Sequence, residues 1–128
     1  MKRLELIFYR QNHLRPDWYV DVTSPEVSRF LAELFDELRP CGITLDITHT
    51  DRFTIDIRSY HDLLNAVRVS SPADNLANVC IGHLIGKSER LDLMEDIRKG
   101  VRRVAFAPET IQPDDQNRRV CHNCGCGC

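Results

Sequence analysis

Four of the six cysteines in this chain fall within residues 121–128, in the run "CHNCGCGC". They are Cys121, Cys124, Cys126 and Cys128, with His122 and two glycines among them. The segment has no apolar stripe to bury, so packing does not explain its thiols. Disulfides stabilise by closing long loops, and bridges among these positions would close only minimal ones. Metal coordination uses what the segment supplies. A tetrahedral thiolate site needs four sulfurs at about 2.3 Å from one ion. Cys-x-x-Cys brings two sulfurs together across a single turn. Cys-Gly-Cys would send its side chains to opposite sides of an extended chain, but Gly125 and Gly127 can take positive φ and curl the backbone back to one centre. His122 adds a nitrogen ligand or a nearby base. Ligand softness selects Zn(II), Cu(I) or an iron–sulfur cluster over Mg(II) or Ca(II). The spacing is denser than a zinc ribbon's paired knuckles and lacks the Cys-x-x-Cys-x-x-Cys run of bacterial ferredoxins. The choice of metal stays open.

Two other chemistries fit the same thiols. Vicinal cysteines on an arm can pass electrons to a partner protein by disulfide exchange. An unperturbed thiol, with a pKa of about 8.5, is only a few per cent thiolate at neutral pH; Arg118, Arg119 and His122 would raise that fraction. Alternatively, the folded part is a recognition handle and the tail a substrate modified at cysteine. In each reading the tail meets a protein partner. Cys121-His-Asn-Cys124-Gly-Cys126 also resembles, over six residues, the Cys-x-x-Cys-x-Cys claw of nitrile hydratase, which holds low-spin iron or cobalt. The family's residue between the last two cysteines is usually serine, here Gly125.

Elsewhere the candidates thin out. Cys41 and Cys80 read as small core residues. His13, His49, His61 and His83 are scattered, and His83 reads as an ordinary strand residue. There is no Gly-rich phosphate loop, Ser-His-Asp arrangement or His-Glu-x-x-His helix. An independent enzyme is therefore not expected.

The elements that must position the tail belong to an ordinary globular composition. The chain has 128 residues, 42% hydrophobic and 28% charged, with a net charge of −2, which predicts one domain. There is no basic excess for a nucleic-acid surface. No apolar run approaches the roughly 18 residues of a membrane span, and the N-terminal "MKRLELIFYRQNH" lacks the apolar length and cleavage site of a signal peptide. A cytoplasmic location, where thiols stay reduced, is the expectation.

Residues 4–9 predict a buried strand. Val27, Phe30, Leu31, Leu34 and Leu38 form one helical stripe. Thr23 or Ser24 caps it, Thr23 and Glu26 forming a capping box, and Pro40 and Gly42 end it. "ITLDIT" (43–48) and "FTIDIR" (53–58) alternate strictly and predict two strands, paired through "HTDR". Ser59 and Asp62 start a short helix carrying Leu63, Leu64 and Val67. "VSSPADNLAN" reads as a loop and "VCIGHLIG" (79–86) as a strand bent at Gly82 and Gly86. Ser88 caps a helix with a Leu91, Met94, Ile97 stripe, closed by Gly100. "VRRVAF" reads as a last strand.

This order, β-α-β-β-α-β-α-β, predicts a two-layer α/β sandwich with a mixed sheet over residues 1–106, a linker over 107–120 and the metal-binding tail over 121–128. "FTIDIRSYHDLLNAV" and "NVCIGHLIGKSERLDLMEDIRKG" resemble the second half of thioredoxin- and glutaredoxin-like domains. There a strand runs through a Gly bend into a second strand and a capped helix, with Gly82, Ile85, Gly86 and Leu91 in those places. The resemblance implies that fold over the ferredoxin-like alternative. The family's redox Cys-x-x-Cys follows the first strand, where this chain has "RQNHLRPDW", and no proline precedes Val79, where the resemblance would put the family's cis-proline. The expected function is a small accessory protein that holds a soft metal or iron–sulfur centre for a partner.

Overall fold

The computed structural model describes residues 2–14 and 21–111. Strand β1 (Lys2–His13) leads to helix α1 (Pro25–Leu38), then β2 (Ile43–Ile57), the short helix α2 (Tyr60–Asn65), β3 (Val67–Ser71), β4 (Leu76–Cys80), the single-turn α3 (Ile81–Ile85) and α4 (Leu93–Phe106). The strands form one mixed sheet in the order β2-β1-β3-β4. β1 is parallel to β2 and antiparallel to β3, and β4 is antiparallel to β3. Together with the helices this is the expected two-layer α/β architecture. No helix among the described residues is long and apolar enough to cross a membrane.

Register explains the core. Leu4 faces Leu45, Leu6 faces Val69 and Phe8 faces Val67. These residues therefore share one face of the sheet, and all six are buried. α1 lays its predicted stripe, Val27, Phe30, Leu31, Leu34 and Leu38, into the same core. Ser24 is the N-cap, its hydroxyl accepting from the Val27 N–H at 3.3 Å. Thr23 instead donates its N–H and hydroxyl to Asp21. Gly42, at φ 76°, turns the chain out of the helix through the left-handed region. The Ser59–Asp62 capping box of α2 is present as expected.

Four expected elements differ, and the order becomes β-α-β-α-β-β-α-α. The segments 43–48 and 53–58 are not a hairpin but one strand. "HTDR" has none of the positive-φ residues a tight hairpin needs, and the twelve-residue β1 offers a parallel partner to both halves. The intervening residues appear as a register break, with Tyr9 opposite Thr50 and Arg10 opposite Thr54. The expected strand 79–86 ends at Cys80 and turns into α3; a short apolar run does not distinguish the two by periodicity. "VRRVAF" is the second half of α4, and Gly100 lies inside that helix. An added Cβ at Gly100 would sit 2.9 Å from Ile81 Cδ1 and 3.4 Å from Leu84 Cβ, so α3 packs tightly against α4 at this glycine. α4 is capped by Asp92, not Ser88, and its stripe is Leu93, Ile97, Val101 and Val104; Leu91 is exposed.

The fourth difference is β3, placed where a helix end and loop were expected. Its apolar signal is broken by Arg68, which is nonetheless 1% exposed. The guanidinium donates to the backbone carbonyls of Asn65 at 2.9 Å and Asn78 at 3.1 Å and to the Asn65 side-chain oxygen. It also lies 5.6 Å over the Tyr9 ring. A buried cation survives when its hydrogen bonds are supplied. Beyond α4, Pro108–Thr110 form a 3-10 turn tied to Arg103, and Ile111 enters the core.

Candidate functional site

The predicted metal ligands Cys121, His122, Cys124, Cys126 and Cys128 lie outside the described residues, as does the preceding segment from 112. What the described domain contributes is therefore a test of rival sites. Among the described residues no three or more His, Cys, Asp or Glu side chains come together as a metal site. Cys80 is buried, as expected of a core thiol, and its Sγ accepts from the His83 N–H at 3.3 Å to cap α3. Cys41 is exposed rather than in the core, because the 3-10 turn after α1 carries it outward. His83 sits on α3, not on a strand. Asp46 and Asp56 lie at the surface, accepting hydrogen bonds from Arg3 and Asn12 respectively.

Two polar constellations emerge that the sequence pattern did not single out. The first surrounds a cavity of about 530 Å³ beside the carboxyl half of β1, the middle of β2 and the approach to α1. His13 Nε2 lies 2.7 Å from the Gln11 side-chain amide. His49 stacks on Phe8 with ring centroids 5.0 Å apart. Asp21, which also lines the space, is held below the usual carboxylate range by the Thr23 hydroxyl and then by the Thr23 N–H. Open α/β sheets commonly bind ligands outside the carboxyl ends of their strands. The loop that leaves β1 here carries no cysteine between residues 14 and 24.

No protein-family model, curated protein or solved structure matches the chain.

The second constellation is buried. Asp96, 2% exposed on α4, accepts from the Tyr60 hydroxyl at 2.5 Å and the Ser88 hydroxyl at 2.6 Å, both on Oδ2. Ser88 in turn accepts from the Leu91 N–H at 3.0 Å, fixing Leu91 at φ 53°. The sequence signal was available: a carboxylate one residue before Ile97, inside a helix whose stripe should be apolar. Burial, then the hydrogen bond to Asp96 and its negative charge, push the Tyr60 phenol well above its ordinary 10.0. This network joins α2, the loop before α4 and α4 itself, so it is an anchor rather than a reactive site.

The sign of its pH dependence follows. The folded state keeps the Tyr60 proton at pH values where the unfolded chain, titrating near 10.0, has lost it. Stability from this group is therefore full below about pH 10 and is lost as pH rises beyond it. The thermal midpoint of the native chain should fall above that pH, and Tyr60→Phe should flatten the fall at a cost of about 1 kcal/mol at neutral pH. Parallel alkaline profiles for the two proteins would contradict the assignment.

Proposed function

We propose that this chain is a small accessory protein that binds a soft metal ion, Zn(II) or Cu(I), or an iron–sulfur centre, and delivers it to or shares it with a partner protein. The observation that carries the reading is the Cys121-x-x-Cys124-x-Cys126-x-Cys128 spacing, with His122 as a further donor. Four thiolates and an imidazole form a donor set suited to soft metals.

We infer further that the domain is thioredoxin-like. A parallel β1-α1-β2 unit followed by the antiparallel pair β3–β4 and a capped helix supports this reading. A ferredoxin-like split βαβ would place a strand between β1 and β2, whereas here the two are directly paired. The match by place is altered. Gly82 lies in α3, and β3 rather than the strand at Val79 follows α2, with Ala66 before it. A fold of that kind favours, as the second reading, a thiol–disulfide relay run by the tail cysteines.

The test is the metal and sulfide content of the full chain purified without oxygen, with a free-thiol count. At least one soft metal per chain is expected, lost on deletion of residues 121–128. The described core closes at Ile111, so that deletion should leave the thermal midpoint nearly unchanged. Metal-free protein that also takes up neither Zn(II) nor Cu(I) would end the metal reading.

A further inference from the structure

The polar run after α4 predicts a linker from Ala107 onward, yet residues 107–111 belong to the folded domain. Pro108–Thr110 form a 3-10 turn, and the Thr110 and Ile111 N–H groups donate to the Ala107 and Pro108 carbonyls, both at 3.1 Å. Ile111 is 6% exposed within the core. Arg103 holds the turn from outside. Its Nε donates to Thr110 Oγ1 at 3.0 Å, its Nη2 to the Thr110 carbonyl at 2.6 Å and its Nη1 to the Leu84 carbonyl of α3 at 2.7 Å. Residues 107–111 are therefore a strap, and the chain that leads to the tail cysteines departs from Ile111 rather than from the end of α4.

The latch is made with neutral partners. All three oxygens on the Arg103 guanidinium are uncharged, and no carboxylate among the described residues pairs with it. The neighbouring arginine shows what the same edge takes when an acid is in reach. Arg102 gives Nε and Nη2 to the two carboxylate oxygens of Glu37, at 3.0 and 2.5 Å. Arg103 gives the same two nitrogens to the two oxygens of Thr110, which stand where a carboxylate would. Charge-assisted pairs are roughly twice as strong as neutral hydrogen bonds, and bidentate geometry adds to them. A carboxylate is therefore the better partner for this edge. Thr110 is exposed and Arg103 half-buried, so the edge lies at the surface.

Opening the strap leaves α4 intact. Lys2 Nζ donates to the Val104 and Ala105 carbonyls at 2.7 and 3.1 Å and pairs with Asp74 at 2.6 Å. The end of the helix is thus held independently of the residues that follow it.

We propose that residues 107–111 are a releasable strap with Arg103 as its latch, opened by a carboxylate on an acidic segment of the partner protein. Closed, the tail is rooted at Ile111. Open, it is rooted at Ala107, and four extended residues add about 14 Å of reach. Docking of the partner and extension of the tail toward it become one event. This rests on the reading of the tail as the working end.

The test is amide hydrogen exchange of the full chain, reduced and metal-free, so that its outcome is separate from that of the metal reading. Thr110 and Ile111 should exchange at least about tenfold more slowly than in the unfolded chain. Arg103→Lys keeps the charge but loses the planar fork. It should remove most of that protection while Val101 and Val104 in α4 keep theirs. Hexaglutamate at millimolar concentration should speed exchange at Thr110 and Ile111 about threefold or more in the native chain, and hexaglutamine should not. Unprotected Thr110 and Ile111, protection indifferent to Arg103→Lys, or no response to hexaglutamate would each overturn the proposal. An equal response to inorganic phosphate would overturn the acidic segment as the partner's key.

Discussion

Serine at any one of Cys121, Cys124, Cys126 or Cys128 is expected to weaken metal binding by at least about 100-fold, since loss of a direct ligand should exceed the 10–100-fold cost of losing a supporting one. A closed thiolate site uses its four sulfurs together, and a hydroxyl is a far poorer partner for Zn(II) or Cu(I) than a thiolate. The relay reading predicts a different pattern. It needs one attacking and one resolving thiol, so at least two of the four positions should be silent. Competition titration with a chromophoric chelator on the four single variants distinguishes the two. Bound metal should also protect the tail thiols from alkylation, with a strong chelator restoring their reactivity. Cys80, buried under α3, should react slowly in either state, while exposed Cys41 should react in both and serve as the internal standard. Two silent substitutions together with a reversible Cys121–Cys124 disulfide would transfer the assignment to the relay.

The parts of the fold that were legible in the sequence are those with strong local signals. α1 has a complete apolar stripe, a capping serine and a left-handed glycine at its end, and each falls where expected. The Ser59–Asp62 box marks α2 for the same reason. The misread elements are ones whose state is decided by partners distant in sequence. Residues 43–48 and 53–57 each alternate on either side of the polar "HTDR", and only the parallel neighbour β1 makes them one strand. β3 was hidden because Arg68 occupies a strand position whose burial depends on carbonyls from Asn65 and Asn78. The candidate site divides along the same line. The tail's chemistry is written in residue type and spacing, whereas the Tyr60–Ser88–Asp96 anchor exists only once three segments meet.

Gly100, whose residue type predicts a helix end, lies inside α4 in contact with α3. In an isolated helix, Gly→Ala would gain about 1 kcal/mol. Here the new methyl would lie 2.9 Å from Ile81 Cδ1, the far end of a side chain that is itself fully buried. That atom can shift only by disturbing its neighbours, so Gly100→Ala should be close to neutral. Gly100→Leu has no such escape. Its branches must enter space held by Ile81 and Leu84, prying α3 from α4, with an expected cost of about 3 kcal/mol and a fall in the thermal midpoint of about 10 °C. The cause can be isolated by shortening the opposing side chain. Ile81→Val removes Cδ1 itself, so Gly100→Ala made in that background should stabilise by several tenths of a kcal/mol relative to Ile81→Val alone, a coupling between touching residues. Denaturant unfolding of the four proteins of this cycle gives the answer. If Gly100→Leu is tolerated, or if the alanine effect is the same with Ile81 and with Val at that position, the close approach of α3 is not what keeps a glycine inside α4.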